Sequence, residues 1–249
     1  MYKPGKFNFR ASYAAGFRTP TLSELYATDI AKKNDRLTIG NLDLKPEKNN
    51  YFSLSAEYVH ERFSVSVNAF YNNIRDMIDY NTIATGDKAM EQYGHKEVRQ
   101  RDNIAEAKVH GINVSANAYL GAGFNLSGGY THLNTQDVEL EQPIDKSIKN
   151  AYNINAQWAH SWKIYRLNIN LNGRINSKRF SKSYGYAPEY QLWDLNTRHS
   201  FNLKSVIIEP GFGMENLFDY MDDLPYNSNY ATLTPGRSFY ISLSLKFKS

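Results

Sequence analysis

"FSVSVNAFY", residues 63–71, decides how the rest of the chain is read. Its odd positions, Phe63, Val65, Val67, Ala69 and Tyr71, are apolar or aromatic, and its even ones begin with the polar Ser64, Ser66 and Asn68. A period of two sends alternate side chains to opposite faces of a β-strand. The alternation recurs in Leu167, Ile169, Leu171, Gly173 and Ile175 against Arg166, Asn168, Asn170, Asn172 and Arg174. It recurs again in Phe239, Ile241, Leu243, Leu245 and Phe247 against Tyr240, Ser242, Ser244 and Lys246. These tracts run about 9 to 13 residues, whereas soluble strands most often run about 5 to 6 and a tilted transmembrane strand needs about 9 to 11.

Outward from this stretch, about ten strands are expected, beginning near Lys6, Lys48, Arg62, Ile104, Gly123, Asn150, Tyr165, Tyr190, Val206 and Arg237. Short connections ("HER", "GAG", "HSWKI", "LKS") alternate with long ones at residues 18–47, 76–103, 136–149, 181–189 and 219–236. In an up-and-down meander every second connection lies at the same end, so one end carries turns and the other long loops. An outer-membrane barrel has that asymmetry. Amphipathic strands also suit a soluble β-sandwich binding module. Strand length, the strict order of loop lengths, and polar faces of Asn, Ser and Arg suited to a wet lumen favour the barrel. Tyr58, Tyr71, Tyr130, Trp158 and Phe180, near strand ends, fit interfacial aromatic girdles.

Composition agrees. Aromatic residues make up 14%, led by 19 Tyr, yet the mean hydropathy is −0.59 and only 41% of the chain is hydrophobic. A chain both aromatic and polar is rich in amphipathic surface. Its formal charge of +4 is dispersed, which argues against a nucleic-acid partner. The absence of Cys excludes disulfides, thiolate metal sites and a cysteine nucleophile. No apolar run reaches the roughly 18 residues of a membrane helix, and "MYKPGKFNFR" lacks a signal-peptide core. A protein working outside the cytoplasm is therefore expected to have a longer precursor than this chain. No linker or repeat divides the 249 residues, which read as one architectural element.

Four elements, in order, carry a family resemblance. "YAAGFRTPTLSELY" is followed by "GNLDLKPEKNNYFSLSAEY", then "FSVSVNAFYNNIRDMID", then "GFGMENLFDYMD" with "PGRSFYISLSLKF". Together they resemble the second half of the barrel of TonB-dependent outer-membrane receptors. The matching motif residues are Phe17, Arg18 and Pro20, then Asn41, Leu44, Lys45, Pro46 and Glu47, then Asn216, Leu217 and Phe218. The resemblance implies a transmembrane antiparallel β-barrel of roughly 22 strands, of which residues 1–249 are the C-terminal portion, the plug domain lying elsewhere. It implies an importer of a bulky, scarce nutrient, an iron–siderophore, haem or cobalamin, in the outer membrane of a Gram-negative bacterium. It also implies no enzymatic activity, no cofactor or metal, and as partners outer-membrane lipid, the TonB complex acting through the plug, and the barrel assembly machinery. That machinery would read Phe247, although Lys248 and Ser249 follow it here. Residues 19–40 contain no His, a departure from haem receptors, with Tyr26 as the alternative axial ligand.

Read physically, Pro20 and Pro46 bound strands because they donate no ladder hydrogen bond, and Arg18 seeks a lumen or loop acid. Loop aromatics and cations are the candidate ligand contacts: Tyr26, Arg36, Tyr93, His95, Tyr184, Tyr186, Tyr226 and Tyr230. A competing reading is a complete small barrel acting as an adhesin or as a protease. The protease would draw a water-activating site from Asp76, Asp79, His95, Asp219, Asp222 and Asp223.

Overall fold

The structure, a computed structural model, describes residues 2, 5–104, 106–181, 185–222 and 235–248. The long alternating tracts form the strands β1 (Phe7–Arg18), β4 (Glu47–Val59), β5 (Phe63–Arg75), β8 (Ala107–Gly121) and β9 (Phe124–Asp137). They continue as β10 (Asn150–Trp162), β11 (Tyr165–Asn176), β14 (Tyr190–Asn202), β15 (Val206–Glu215) and β16 (Ser238–Phe247). These ten make one sheet in the order β1-β4-β5-β8-β9-β10-β11-β14-β15-β16, every neighbour antiparallel. β1 and β16 stand at its two edges, so the sheet is part of a barrel rather than a closed one.

Turns occupy one end and loops the other. At the tight end Gly121, Ala122 and Gly123 all have positive φ, and a Cβ on Gly123 would lie 1.9 Å from the carbonyl oxygen of Ala159. Only glycine accepts both the dihedral and the approach.

The register separates the two faces cleanly. Leu54, Val65, Val67, Ile112, Leu126, Ile241, Leu243 and Leu245 share one face and are all exposed. An apolar wall of this extent is a surface for lipid. The opposite face presents Ser12 bonded to Ser53, Ser66 bonded to Ser115, and Asn155 donating to both Asn170 and Asn172, which suits a watery or protein-filled lumen. No helix among the described residues is long and apolar enough to cross a membrane.

Aromatic side chains mark two levels on the lipid face. Near the turns Phe7 lies against Tyr58, and Trp162 stacks on Tyr165 next to Phe201. Nearer the loops Tyr13 meets Phe52, and Tyr130 stacks on Tyr152. From Phe63 to Tyr71 is eight strand steps, about 26 Å at about 3.3 Å each, or about 20 Å of height at a tilt of about 40°. Phe180 does not belong to these girdles. It sits on a separate hairpin of β12 (Arg179–Ser181) and β13 (Gly185–Ala187), edge-on to Tyr186.

The long connections are not structureless either. Between β1 and β4 lie α1 (Leu22–Tyr26), β2 (Thr28–Ala31) and β3 (Arg36–Ile39); between β5 and β8 lie β6 (Ile78–Thr85), α2 (Gly86–Tyr93) and β7 (Glu97–Asn103). Their strands form a second sheet, β2-β3-β7-β6.

Candidate functional site

The second sheet gives the loop end a folded unit with its own core. β3 and β7 run parallel, Leu37 opposite Val98 and Arg36 opposite Glu97, which joins two loops separated in sequence by a complete β-hairpin. Alternation then sorts the faces. Val98 is fully buried with Leu37 and Ala89, and Ile39, Ala84 and Tyr93 pack around them, so α2 covers this side. Asp35, at positive φ before β3, accepts from Lys96 N–H at 3.3 Å, and one of its oxygens lies 2.8 Å from His95 Nδ1. The hydrogen bond from His95 holds the Asp35 carboxyl below the usual carboxylate range.

The opposite face of the same sheet is open and basic. It carries Arg36, Thr38, Glu97, Arg99 and Arg101, with Thr82 and Tyr80 from β6. Arg99 Nε donates to Glu97 Oε1 at 2.5 Å, and the Arg101 guanidinium lies 3.6 Å above the Tyr80 ring. Stacking on an aromatic face fixes the plane of the guanidinium while leaving much of its fork of donors usable. Arg36 Nε is buried with no hydrogen-bond partner.

A polar hub ties this unit to the main sheet. Arg18, the last residue of β1, faces Glu47, the first of β4. Its Nε and one terminal nitrogen donate to the two Glu47 oxygens at 2.7 and 2.6 Å; the other terminal nitrogen donates to Glu24 at 2.9 and 3.1 Å. Glu24 is also the acid of a capping box: Thr21 N–H donates to it at 2.8 Å, and its own N–H donates to Thr21 Oγ1 at 3.2 Å. The Arg18 guanidinium holds the Glu24 carboxyl down to about 2. Glu47 also accepts from Ile78 N–H at 2.8 Å, which fixes the start of β6.

A second clamp works through amides. Asn103 accepts from Lys45 N–H at 2.6 Å and donates to the carbonyls of Lys45 and Asp76 at 2.9 and 2.6 Å. Asn41 N–H donates to Glu24 O at 3.0 Å, its side chain accepts from Asp43 N–H, and Leu44 is buried.

Residues 1–217 match the family model described as TonB dependent receptor-like, beta-barrel. The chain belongs to the TonB-dependent receptor family. Its members are outer-membrane β-barrel proteins of Gram-negative bacteria. Among solved structures, the chain resembles the ferric enterobactin receptor of Pseudomonas aeruginosa at 20% identity and a TM-score of 0.73, covering 98% of this chain and 38% of that one. It resembles the ferric preacinetobactin receptor of Acinetobacter baumannii at 17% identity and a TM-score of 0.67, covering 97% and 34%. It resembles the copper transporter OprC at 14% identity and a TM-score of 0.70, covering 95% and 36%. At these identities the likeness is one of fold, and the chain spans little more than a third of the length of those receptors.

Within this TonB-dependent barrel segment the motif residues are joints. Arg18 with Glu47, and Asn41, Leu44 and Lys45, occupy the hub and clamp; Phe17, facing Lys48, and Pro20 end β1, and Pro46 directly precedes β4. Asn216, buried and at positive φ, donates to the carbonyls of Tyr220 and Pro235 at 2.7 and 3.1 Å and accepts from Tyr220 N–H. It thereby holds both ends of the last long loop. Leu217 N–H donates to Trp193 O, and Phe218 meets the Trp193 ring edge-on.

Of the candidate contacts, the structure brings Arg36, Tyr93 and His95 into one unit but not onto one face. Tyr93 packs against the core and His95 is engaged with Asp35, so both build the unit. Tyr26 is exposed at the end of α1, and Tyr186 is exposed on the separate β12–β13 hairpin. Tyr184, Tyr226 and Tyr230 lie outside the described residues. The sequence reading overlooked Tyr80, Arg99 and Arg101, although alternation in "EVRQRDN" places both arginines on one face. The acids of the competing protease reading are dispersed. Asp76 lies near Lys48, Asp79 accepts from Tyr80 N–H, Asp219 accepts from Arg237 N–H, and His95 faces Asp35, while Asp223 lies outside the described residues.

Proposed function

We propose that the chain is the C-terminal part of the barrel of a TonB-energised importer, and that its ligand is a bulky anionic iron complex of the siderophore kind. The observation that carries the reading is the basic face of the loop unit, where Arg101 stacks on Tyr80 and Arg99 and Arg36 share the same side of the sheet. Three guanidiniums suit an anionic, multidentate complex, because each forms charge-assisted bonds to carboxylate or phenolate oxygens. Tyr80 adds an aromatic contact surface. A neutral cobalt corrinoid would gain little from this charge, and the loop lacks the His that the haem reading wants.

In this mechanism the loops and a plug domain capture the complex, and the TonB complex, acting on the plug, opens the lumen. The polar lumen face supports such passage, since its Asn and Ser offer neutral hydrogen bonds and Arg166 and Arg174, on the same face of β11, suit an anion. The open edges β1 and β16 support further strands that complete the barrel, because unpaired backbone groups in hydrocarbon are costly. Barrel residues make and break no covalent bond.

The test uses the full-length receptor in detergent, titrated with a ferric tris-catecholate, a near-neutral ferric hydroxamate and cobalamin. Arg99→Gln/Arg101→Gln is expected to weaken catecholate binding by about tenfold to a hundredfold, at about 1.5 kcal/mol or more per lost charge-assisted bond. Unchanged affinity in a correctly folded variant, or tight cobalamin binding by the wild type, rejects the ligand assignment.

A further inference from the structure

On the lumen face, the last strands of the sheet differ from the first. Across β1, β4, β5 and β8 the hydroxyls bond one another, Ser12 to Ser53 and Ser66 to Ser115, and toward the turn end Arg10 and Glu57 bring one charge of each sign. On β11 and β14 the same depth carries Arg166, opposite Ser200, and Arg198, opposite Asn168. Neither guanidinium makes a hydrogen bond or a close ion pair with any described residue. Glu209, whose charge Arg198 also feels, is already held by Lys246 at 2.6 Å and by Ser200 Oγ at 3.3 Å. Arg166, Arg198 and Lys246 therefore face this one acid, and the turn end of this wall is positive.

Beside Arg198 the wall is hollow. Gly211 lies between Arg198 and Ser242, and a Cβ there would stand 2.6 Å from Ser242 Oγ. The recess has a volume of about 380 Å³ and is lined by Asn168, Asn170, Asn196, Arg198, Tyr240 and Ser242. Two of its amides are oriented by bonds they already make. Asn170 Oδ1 accepts from Asn155 at 2.9 Å, and Asn196 Oδ1 accepts from the Tyr240 hydroxyl. With these oxygens engaged, the amide N–H groups are what remain, two for each Asn, beside the five donors of the guanidinium. A concave surface rich in donors and positive in charge is the complement of an oxygen-rich anion.

We propose that this recess is a second station for the imported ligand inside the lumen, where one anionic arm of the ferric complex rests on Arg198 and Arg166 before leaving at the turn end. The arm is a deprotonated catechol or a carboxylate, whose oxygens accept from the guanidiniums and from Asn170 and Asn196. The station rests on the reading of the protein as an importer of an anionic iron complex, and it is distinct from the arginine face of the loop unit. Arg174, at the loop end of β11, is eight strand steps from Arg166, about 26 Å along the strand, or about 20 Å of height at a tilt of about 40°. Between these levels Asp194 accepts from Asn216 N–H at 3.0 Å and Glu215 from Ser238 Oγ at 3.2 Å, on the same face. The two lower arginines are thereby set apart from Arg174 as a basin of their own. Acids of the plug domain are the competing occupant; a wall of single-sign charge around a donor-lined hollow favours the small anion.

The experiment uses the full-length receptor in its own outer membrane with a ferric tris-catecholate as probe, and reads surface binding without TonB energy and import with it. Arg166→Gln/Arg198→Gln is expected to keep surface affinity within about twofold and to slow import about tenfold, the order lost with one charge-assisted bond. Arg166→Lys/Arg198→Lys, which keeps the charge, should recover part of the rate, and Arg62→Gln/Lys163→Gln, which removes two cations from the turns, should import as the wild type does. Import at the wild-type rate by a double Gln variant that binds the probe overturns the station. Where that variant fails to bind, Arg198→Gln alone decides: about threefold slower import is expected, and an unchanged rate overturns the proposal. Faster hydrogen exchange of plug amides in the resting double variant reassigns the arginines to the plug and overturns the ligand station. A wild type that does not bind the probe overturns the ligand assignment itself, and the station with it.

Discussion

Removing Arg18 should release α1 from the barrel rim while leaving the barrel itself intact. In the native protein the Arg18 guanidinium makes four charge-assisted bonds, two to Glu47 and two to Glu24, between 2.6 and 3.1 Å. The two carboxylate side chains are only 15% and 12% exposed, but Arg18 itself is 44% exposed and so partly screened. Well-shielded hydrogen bonds to charged groups contribute about 1.5–3 kcal/mol and exposed ion pairs about 0.2–1. A value of about 2 kcal/mol for the whole hub lies between these limits. At about 1.4 kcal/mol per decade, local opening of α1 becomes about thirtyfold more frequent in Arg18→Ala. Hydrogen exchange reads this directly through the amides of Leu25 and Ala27, which hold α1 by donating to Thr21 O and Ser23 O. Their exchange should accelerate about thirtyfold, with amides in the middle of β4 and β5 unchanged. Arg18→Lys, which keeps the charge without the fork, should recover at most half of the protection in free-energy terms. An acceleration below about threefold, or an equal acceleration in the barrel strands, would refute the account of the hub as a local joint.

Three further outcomes follow from the same geometry. The Glu24 carboxyl, held down to about 2 in the folded protein from an ordinary 4.5, contributes stability that is complete above 4.5 and is lost as pH falls through about 2. Intrinsically corrected protection of α1 should therefore be level from pH 7 to about 4.5 and decline below it, a decline Arg18→Gln should largely abolish; a flat wild-type profile removes the basis for the argument. Gly213→Val should cost about 1–3 kcal/mol in detergent unfolding, because its Cβ would stand 2.1 Å from the Tyr240 ring, whose hydroxyl is anchored on Asn196. Adding Tyr240→Ala should recover part of that cost, and strict additivity of the two changes would contradict the steric cause. Phe247→Ser, changing an exposed lipid-face residue opposite Val206 in the last strand, should lower the amount of full-length receptor reaching the outer membrane, and normal abundance speaks against an assembly signal there.

The barrel was legible because its environment acts on every residue of every strand. Lipid on one face and a polar lumen on the other impose a period of two along the whole length, so strands expected at Asn150, Tyr165, Tyr190 and Val206 begin at those residues. The strand expected near Ile104 begins at Ala107, where the last loop residues interrupt the alternation. The loop unit was not legible, for the opposite reason. β2 and β3 are four residues each, too short to show a period, and β3 is defined by a parallel partner some sixty positions later in the sequence. Arg18 showed its need for an acid, yet its second partner, Glu24, emerged only once α1 folded back. Tyr93 and His95 looked like binding residues because aromatics and imidazoles in loops often are, and the structure spends them on a core contact and a loop-to-loop tie.

The parallel seam between β3 and β7 also bears on how such a receptor can change. Each loop supplies one strand of the seam, and the shared core draws Leu37 from the first loop and Ala89 and Val98 from the second. Recombination that brings in one loop from another receptor would unmate the seam and strip the core, whereas exchange of residues 19–106 as a block carries both halves and the hairpin between them. This corner of the loop end therefore behaves as one cassette, and an engineer grafting its loops onto another barrel should move the cassette whole.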